Sequence, residues 1–364
     1  MNWIEKYARL LVDYSLYLKE NEKVFVRSST LAEPLLKAFY KAALEKGAIV
    51  ETEIAFEDQE NILLEYGTEN QLKYLSESYK YAIRNFDAYL VIRAPFEIGT
   101  KPNIDEANRK LRMEATAPFD QLYFERLGNK SLKRSLCQYP TSYSAKLAGM
   151  TLEEYTSFIQ SACFLDRENP ESAWLELSAQ QQKITDYLND CQMIIYRHPG
   201  FEISFSVKDR TWINSDGKAN MPSGEIFTSP VEDSVQGEIF FDYPSLMMGE
   251  EVQGVRLEVR DGEITNWTAN KGQQVLDRVF QIPGTRRFGE AAVATNKNIQ
   301  RATKNILFDE KIGGTVHMAI GQSYLQCGGK NQSSIHWDLI TDMKNGGEIW
   351  ADGKRIYQDG QFLI

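Results

Sequence analysis

The sequence predicts an α/β N-terminal domain built on a parallel sheet, followed by a strand-rich α+β C-terminal domain. Three observations carry this reading. Short apolar runs alternate with helical stretches in the first part of the chain, the pattern changes from Tyr139 onward, and the second half offers short apolar strands flanked by glycine. The boundary is expected between 110 and 195 and is placed at 135/136, giving domains 1–135 and 136–364.

The chain opens on MNWIEKYARLLVDYSLYL, where Ile4, Tyr7, Leu10, Leu11 and Tyr14 recur at helical spacing. KVFVRS (23–28) reads as a strand, and Pro34 to Glu45 as a helix stopped by Gly47. AIVETEIAF (48–56) is the next strand, a helical region runs from about Glu69 to Arg84, and AYLVIR (88–93) follows. A helix around Asp105 to Glu114 completes a βαβαβ rhythm, which implies parallel strands with helices packed on them. The turn after the first strand, SSTLAE (28–33), carries neither the Rossmann glycine spacing nor a P-loop, which argues against nucleotide binding.

Past Tyr139, Thr151 and Glu154 form a capping-box signature that starts a helix to about Cys163, and Pro170 precedes a second helix over 173–188. VRLEVRDGEITNWTA (255–269) is a hairpin, with Val255, Leu257 and Val259 alternating with charged residues and Asp261-Gly262 supplying a type I′ turn. Lys271 to Val279 reads as a short helix, and 288–295, 314–320 and 335–340 read as further strands.

The 364 residues carry a formal charge of −10, with no Lys/Arg run longer than two. Phosphate binding needs concentrated basic surface, so nucleic acid and anionic lipid are poor partners. The N-terminal segment lacks the basic start and uncharged centre of a signal peptide, and no window approaches a membrane span. Cys137, Cys163, Cys191 and Cys327 lie far apart without CxxC pairing, and read as reduced core thiols of a cytoplasmic protein.

The chain holds three histidines, His198, His317 and His336. His198 precedes a proline in YRHPG and reads as a surface residue at a strand end. SSIHWDLI (333–340) places His336 and Asp338 on one face of a strand, with Ile335, Trp337 and Leu339 on the other. Three more glycine-flanked strands offer ligands: Glu225 in SGEIFTSP, Glu290 in FGEAAV and His317 in GGTVHMAIG. Two imidazoles and three carboxylates make a mixed nitrogen and oxygen set suited to two divalent ions such as zinc, cobalt or manganese. Taken alone, the same residues also fit solvated strand-end charges or a structural polar cluster. Glu232 and Asp233, near Glu225 in sequence, could take a proton or could cap a turn.

These segments, together with RTWINSDGKANMPSGEIFTSPVEDSVQGEIFF (210–241) and YPTSYSAKLAGMTLEEYTSFIQSACFLD (139–166), resemble the aminopeptidase T family of metallopeptidases. The resemblance covers essentially the whole chain. It implies that Glu225, Glu290, His317, His336 and Asp338 hold two metal ions (zinc, cobalt, manganese or magnesium) and that Tyr324 lies close to them. It makes 136–364 the metal-binding catalytic domain of a metalloaminopeptidase acting on short peptides with a free N-terminus, and it suggests a homodimer. Tyr324 would donate to an oxyanion, with Glu232 the candidate for proton transfer. The loop LQCGGKNQSSI (325–335) is short for the family, which bears on the pocket rim. A metal-dependent hydrolase of another bond, such as a phosphoester, is the alternative, and it is disfavoured by the lack of a basic or glycine-rich phosphate cradle.

Overall fold

The computed structural model describes residues 1–97 and 105–364. They form two compact units, Met1–Glu171 with Gly217–Met221, and Ser172–Asp216 with Pro222–Ile364. The division therefore falls at Glu171/Ser172, inside the expected window but not at 135/136. The reason lies in packing. Helix Leu152–Ala162 buries Tyr155, Ile159 and Ala162, and the Cys163 thiol that follows lies 3.7 Å from the buried Tyr7 hydroxyl. The segment after 135 is thus core material of the first unit.

Among the described residues, the first unit carries a five-stranded parallel sheet in the order Ile49–Ala55, Lys23–Ser29, Ala88–Arg93, Lys133–Gln138, Asn220–Met221. Val24, Phe25, Val26, Leu90 and Ile92 are buried, as near-continuous apolar runs in a covered parallel sheet should be. Several elements differ from expectation. The 69–84 region is two helices, Glu69–Lys73 and Glu77–Asn85, because Thr68 and Ser76 each cap a separate start. Helix Gln59–Tyr66 and strand Lys133–Gln138 were not foreseen, and the helix expected to end near Glu114 runs from Glu106 to Gly128 through Pro118. No described helix is long and apolar enough to cross a membrane.

The second unit is strand-rich, with a nine-stranded and a five-stranded sheet among its described residues. The expected hairpin is present. Arg260 pairs with Glu263, and the two turn residues Asp261 (φ 49°) and Gly262 (φ 75°) take the positive φ of a type I′ turn.

The five-stranded sheet positions everything that follows. Its order is His336–Asp342, Thr315–Gly321, Phe288–Ala294, Glu225–Thr228, Ile213–Ser215, all neighbours antiparallel. One face sends Ile226, Ala291, Val293, Val316, Met318, Ile320, Trp337 and Leu339 into the main core. A slip of one residue in any of these strands would carry its apolar set out of that core, so the register is strongly fixed. Whatever occupies the opposite face is held just as firmly.

Candidate metal centre

The opposite face is the unusual one. Cross-strand pairs Gly321–His336, Ala319–Asp338, Glu290–Ala319, Ala292–His317 and Ala294–Glu225 put both imidazoles and three carboxylates on a single surface. Ala292, Ala294 and Ala319 stand between them, small enough to leave the larger polar groups room to converge. All five of these polar residues come together, from four neighbouring strands.

Two glycines make this possible. Simple alternation would put Phe288 and Glu290 on the same face, yet Phe288 lies in the apolar core while Glu290 joins the polar cluster. The pairing shifts by one residue between them, so Gly289 is the extra residue of a bulge that turns Glu290 over. A Cβ at Gly289 would come within 2.3 Å of the Gln322 carbonyl oxygen, which excludes any other residue there. Gly224, immediately before Glu225, has φ 112° and lies so close to Asn296 that a Cβ would approach its side chain to 2.7 Å.

The Glu290 carboxylate faces both ways. Its Oε1 is 3.8 Å from His317 Nε2, and its Oε2 is 3.0 Å from His336 Nε2. His317 Nε2 also lies 3.4 Å from Glu225 Oε2, and His336 Nε2 lies 3.5 Å from Asp338 Oδ1. Two donor groups result, Glu225–Glu290–His317 and Glu290–His336–Asp338, each with its donor atoms within 4.8 Å of one another and with Glu290 common to both. The His336 ring is oriented by a 2.7 Å contact from Nδ1 to the Gln322 carbonyl oxygen. A carbonyl can only accept, so Nδ1 carries the proton and Nε2 is the atom turned toward the carboxylates.

The electrostatics match a cation site. Burial opposes charge on His317, but Glu290, then Glu225 and Asp338, outweigh it and raise its pKa to about 9. His336 is likewise raised, against burial, by Asp338 and Glu290. The carboxylates that would hold a proton on these rings would hold a metal ion instead. Glu225 Oε2, both nitrogens of His317 and Asp338 Oδ1 are buried without a hydrogen-bond partner. Orphaned polar atoms at this density are costly, and coordination is the chemistry that would satisfy them. The residues present therefore fit divalent ions.

Tyr324 follows the His317 strand at the mouth of the cluster, its ring 5.0 Å from His336 and 5.1 Å from Phe227. Burial, then the Glu290 and Asp338 carboxylates, push its phenol well above the usual range, so the hydroxyl stays protonated and able to donate. Its backbone N–H donates to Ser229 Oγ at 3.2 Å, and its carbonyl accepts from Cys327 and Gly329 N–H groups.

Glu232 is not part of the cluster. Its Oε2 accepts from Arg210 Nη2 at 2.6 Å, its Oε1 accepts from the Lys330 N–H at 2.6 Å, and Arg210 also donates to the Gly328 carbonyl. A carboxylate engaged in this way anchors the loop behind Tyr324, which does not suit the proton-transfer role that closeness to Glu225 in sequence suggested. His198 sits in a hairpin, stacked on Phe201 and accepting from the Gly200 N–H, outside both donor groups.

Two neighbours went unnoticed in the sequence. Glu310 and Lys311 follow the single-turn helix Ile306–Asp309. Burial pushes the Glu310 carboxyl up to about 8 against the pull of Lys311, with Glu225 and Asp338 adding to the rise. Lys311 is fully buried, its Nζ 3.4 Å from Glu225 Oε1 and donating to Glu310 Oε1. An isolated Glu-Lys pair reads as solvated charge, and only the flanking apolar residues Ile306, Leu307, Phe308 and Ile312 hint at burial.

A buried sheet face of carboxylates and imidazoles with unsatisfied donor atoms is the mark of a metal-dependent protein. The chain belongs to the thermophilic metalloprotease family (M29), whose family model matches residues 2–362. It is thus a metal-dependent hydrolase of peptide bonds. It is 25% identical over 410 residues to Aminopeptidase 2 of Geobacillus stearothermophilus, covering 99% of this chain and 98% of that protein. It is 24% identical to Aminopeptidase T of Thermus thermophilus, covering 98% and 95%. The solved structure of wild-type AmpT from Thermus thermophilus superposes with a TM-score of 0.83 at 21% identity, over 100% of this chain and 99% of that one, a likeness of fold.

Proposed function

We propose that this protein is an aminopeptidase that removes the N-terminal residue from short peptides, using two divalent ions. The ions would be held by Glu225, Glu290 and His317 on one side and by Glu290, His336 and Asp338 on the other. The observation that carries this reading is the Glu290 carboxylate, whose two oxygens face different imidazoles at 3.8 and 3.0 Å. When bound, such a pair supplies Lewis acidity, lowering the pKa of water and polarising the scissile carbonyl.

The chain's own residues do the rest. The acid-rich face favours a substrate presenting a free α-ammonium, consistent with relatives named as aminopeptidases. Tyr324 Oη donates a hydrogen bond to the oxygen that gains charge as the carbonyl is attacked. Glu310, a largely buried carboxyl with a raised pKa, is suited to hold the proton passed from water toward the leaving amine. Arg210 and Glu232 keep the Tyr324 loop in place. Zinc, cobalt and manganese accept this mixed donor set, and magnesium, which favours oxygen ligands, fits it least well. The homodimer implied by the resemblance and the cytoplasmic location expected from the cysteines belong to the same reading.

The test is metal removal. Chelator-treated protein should lose hydrolysis of aminoacyl p-nitroanilides and regain it with cobalt or zinc, and N-acetylated substrates should remain uncut. Metal-dependent cleavage of p-nitrophenyl phosphate, with indifference to the blocked amine, would favour a phosphoester hydrolase instead.

A further inference from the structure

We propose that Lys311 acts as a fixed internal cation that weakens the metal position formed by Glu225, Glu290 and His317, making the two positions of the centre unequal. The inference rests on the ligand assignment above. The Lys311 side chain is fully buried, and its ammonium contacts one oxygen of Glu225 from behind while the other, Oε2, points to His317. Glu225 is therefore shared between the Lys311 ammonium and the place where a divalent ion would sit. The second position, Glu290–His336–Asp338, has no ammonium in contact with its carboxylates among the described ion pairs.

The backbone on both sides of Lys311 is pinned. Asp309, two residues earlier, accepts from the Thr303 N–H and hydroxyl at 2.7 Å each, which fixes the short helix. On the other side, Ile312 bridges to Asn296, the Gly313 N–H donates to the Asn296 carbonyl, and the Asn296 amide donates to Ser223 O at 2.9 Å. Lys311 and Glu225 are thus braced through the same residue, Asn296. Burying an ammonium is expensive unless it is paired, and Lys311 Nζ stands 3.4 Å from Glu225 Oε1 and donates to Glu310 Oε1.

Like charges a few ångströms apart in a dry site repel strongly, and only part of that repulsion is screened. A divalent ion at the Glu225 position must therefore bind against the lysine, whereas an ion at the Asp338 position is less affected. The centre would hold one tight ion and one exchangeable ion.

The experiment is a titration of the metal-free full-length protein with cobalt(II), followed by visible absorption and by competition with a chelating dye. Wild-type protein should take up two ions with dissociation constants at least about tenfold apart. Lys311→Met, close to lysine in length but uncharged, should tighten the weaker step by about tenfold or more and bring the two steps together. Lys311→Gln, which keeps a hydrogen bond to Glu310, carries the same expectation should the methionine variant fold poorly. Two equal steps in the wild type would overturn the inference without any variant. So would two wild-type ions with a weaker step that is unchanged or weakened by the neutral substitutions, since the lysine would then be propping Glu225 in place. Uptake of fewer than two cobalt ions by the wild type would instead overturn the ligand assignment itself, and this inference with it.

Discussion

Glu290→Gln should abolish peptidase activity and take bound metal from two ions to one or none. Glutamine keeps the size and position of the side chain but carries no charge, and one of its two polar atoms is an amide nitrogen that cannot coordinate. Because the two glutamate oxygens face different imidazoles, the amide must fail on one side whichever way it turns. The loss removes several kcal/mol of carbonyl and water polarisation, which corresponds to about 10³-fold or more in rate. The fold should survive. Burial and the Asp338 charge oppose ionisation of Glu290, but His317 and His336 outweigh them and hold its carboxyl below the usual range, so the neutral variant without metal should stay folded but melt somewhat below the wild type without metal. What should vanish is the rise in Tm that metal gives the wild type. Parallel elemental analysis and melting curves, with and without zinc, check both parts.

Tyr324→Phe should lower turnover by about 10²–10³-fold, the scale of losing one oxyanion donor, while KM and metal content stay close to wild type. The ring packs against His336 and Phe227 through its faces and edges, and phenylalanine retains that packing. The hydroxyl oxygen is the only atom removed, so a change confined to kcat would isolate its contribution. Full turnover in the variant would rule out the oxyanion role.

Much of this arrangement was legible in the sequence because strands alternate. The period of two in IHWDLI separates His336 and Asp338 from Trp337 and Leu339, and the sheet keeps that division, with Trp337 and Leu339 in the core. The Asp261-Gly262 turn was equally plain, since its residue types tolerate the positive φ that the tight hairpin demands.

What sequence could not reveal has specific causes. Alternation fails at Phe288–Glu290, where the Gly289 bulge inserts a residue, so strand period alone would have paired Glu290 with the core. KRSLCQ (133–138) has too few apolar residues to read as an inner parallel strand, and it is recruited by its neighbours on either side. Glu232 was drawn toward the chemistry by its closeness to Glu225 in the chain, although its carboxylate is committed to Arg210 and the Lys330 N–H. Lys311 and Glu310 lie beyond reach for the opposite reason. Their burial is created by strands far away in sequence, and no local period announces it.

The most direct test is a crystal structure of the protein grown with cobalt or zinc, with anomalous scattering recorded at the metal edge. The account predicts two peaks roughly 3.5–4 Å apart, one against Glu225 and His317, the other against His336 and Asp338, with the Glu290 carboxylate between them. A single peak, or ions bound away from this sheet face, would contradict it.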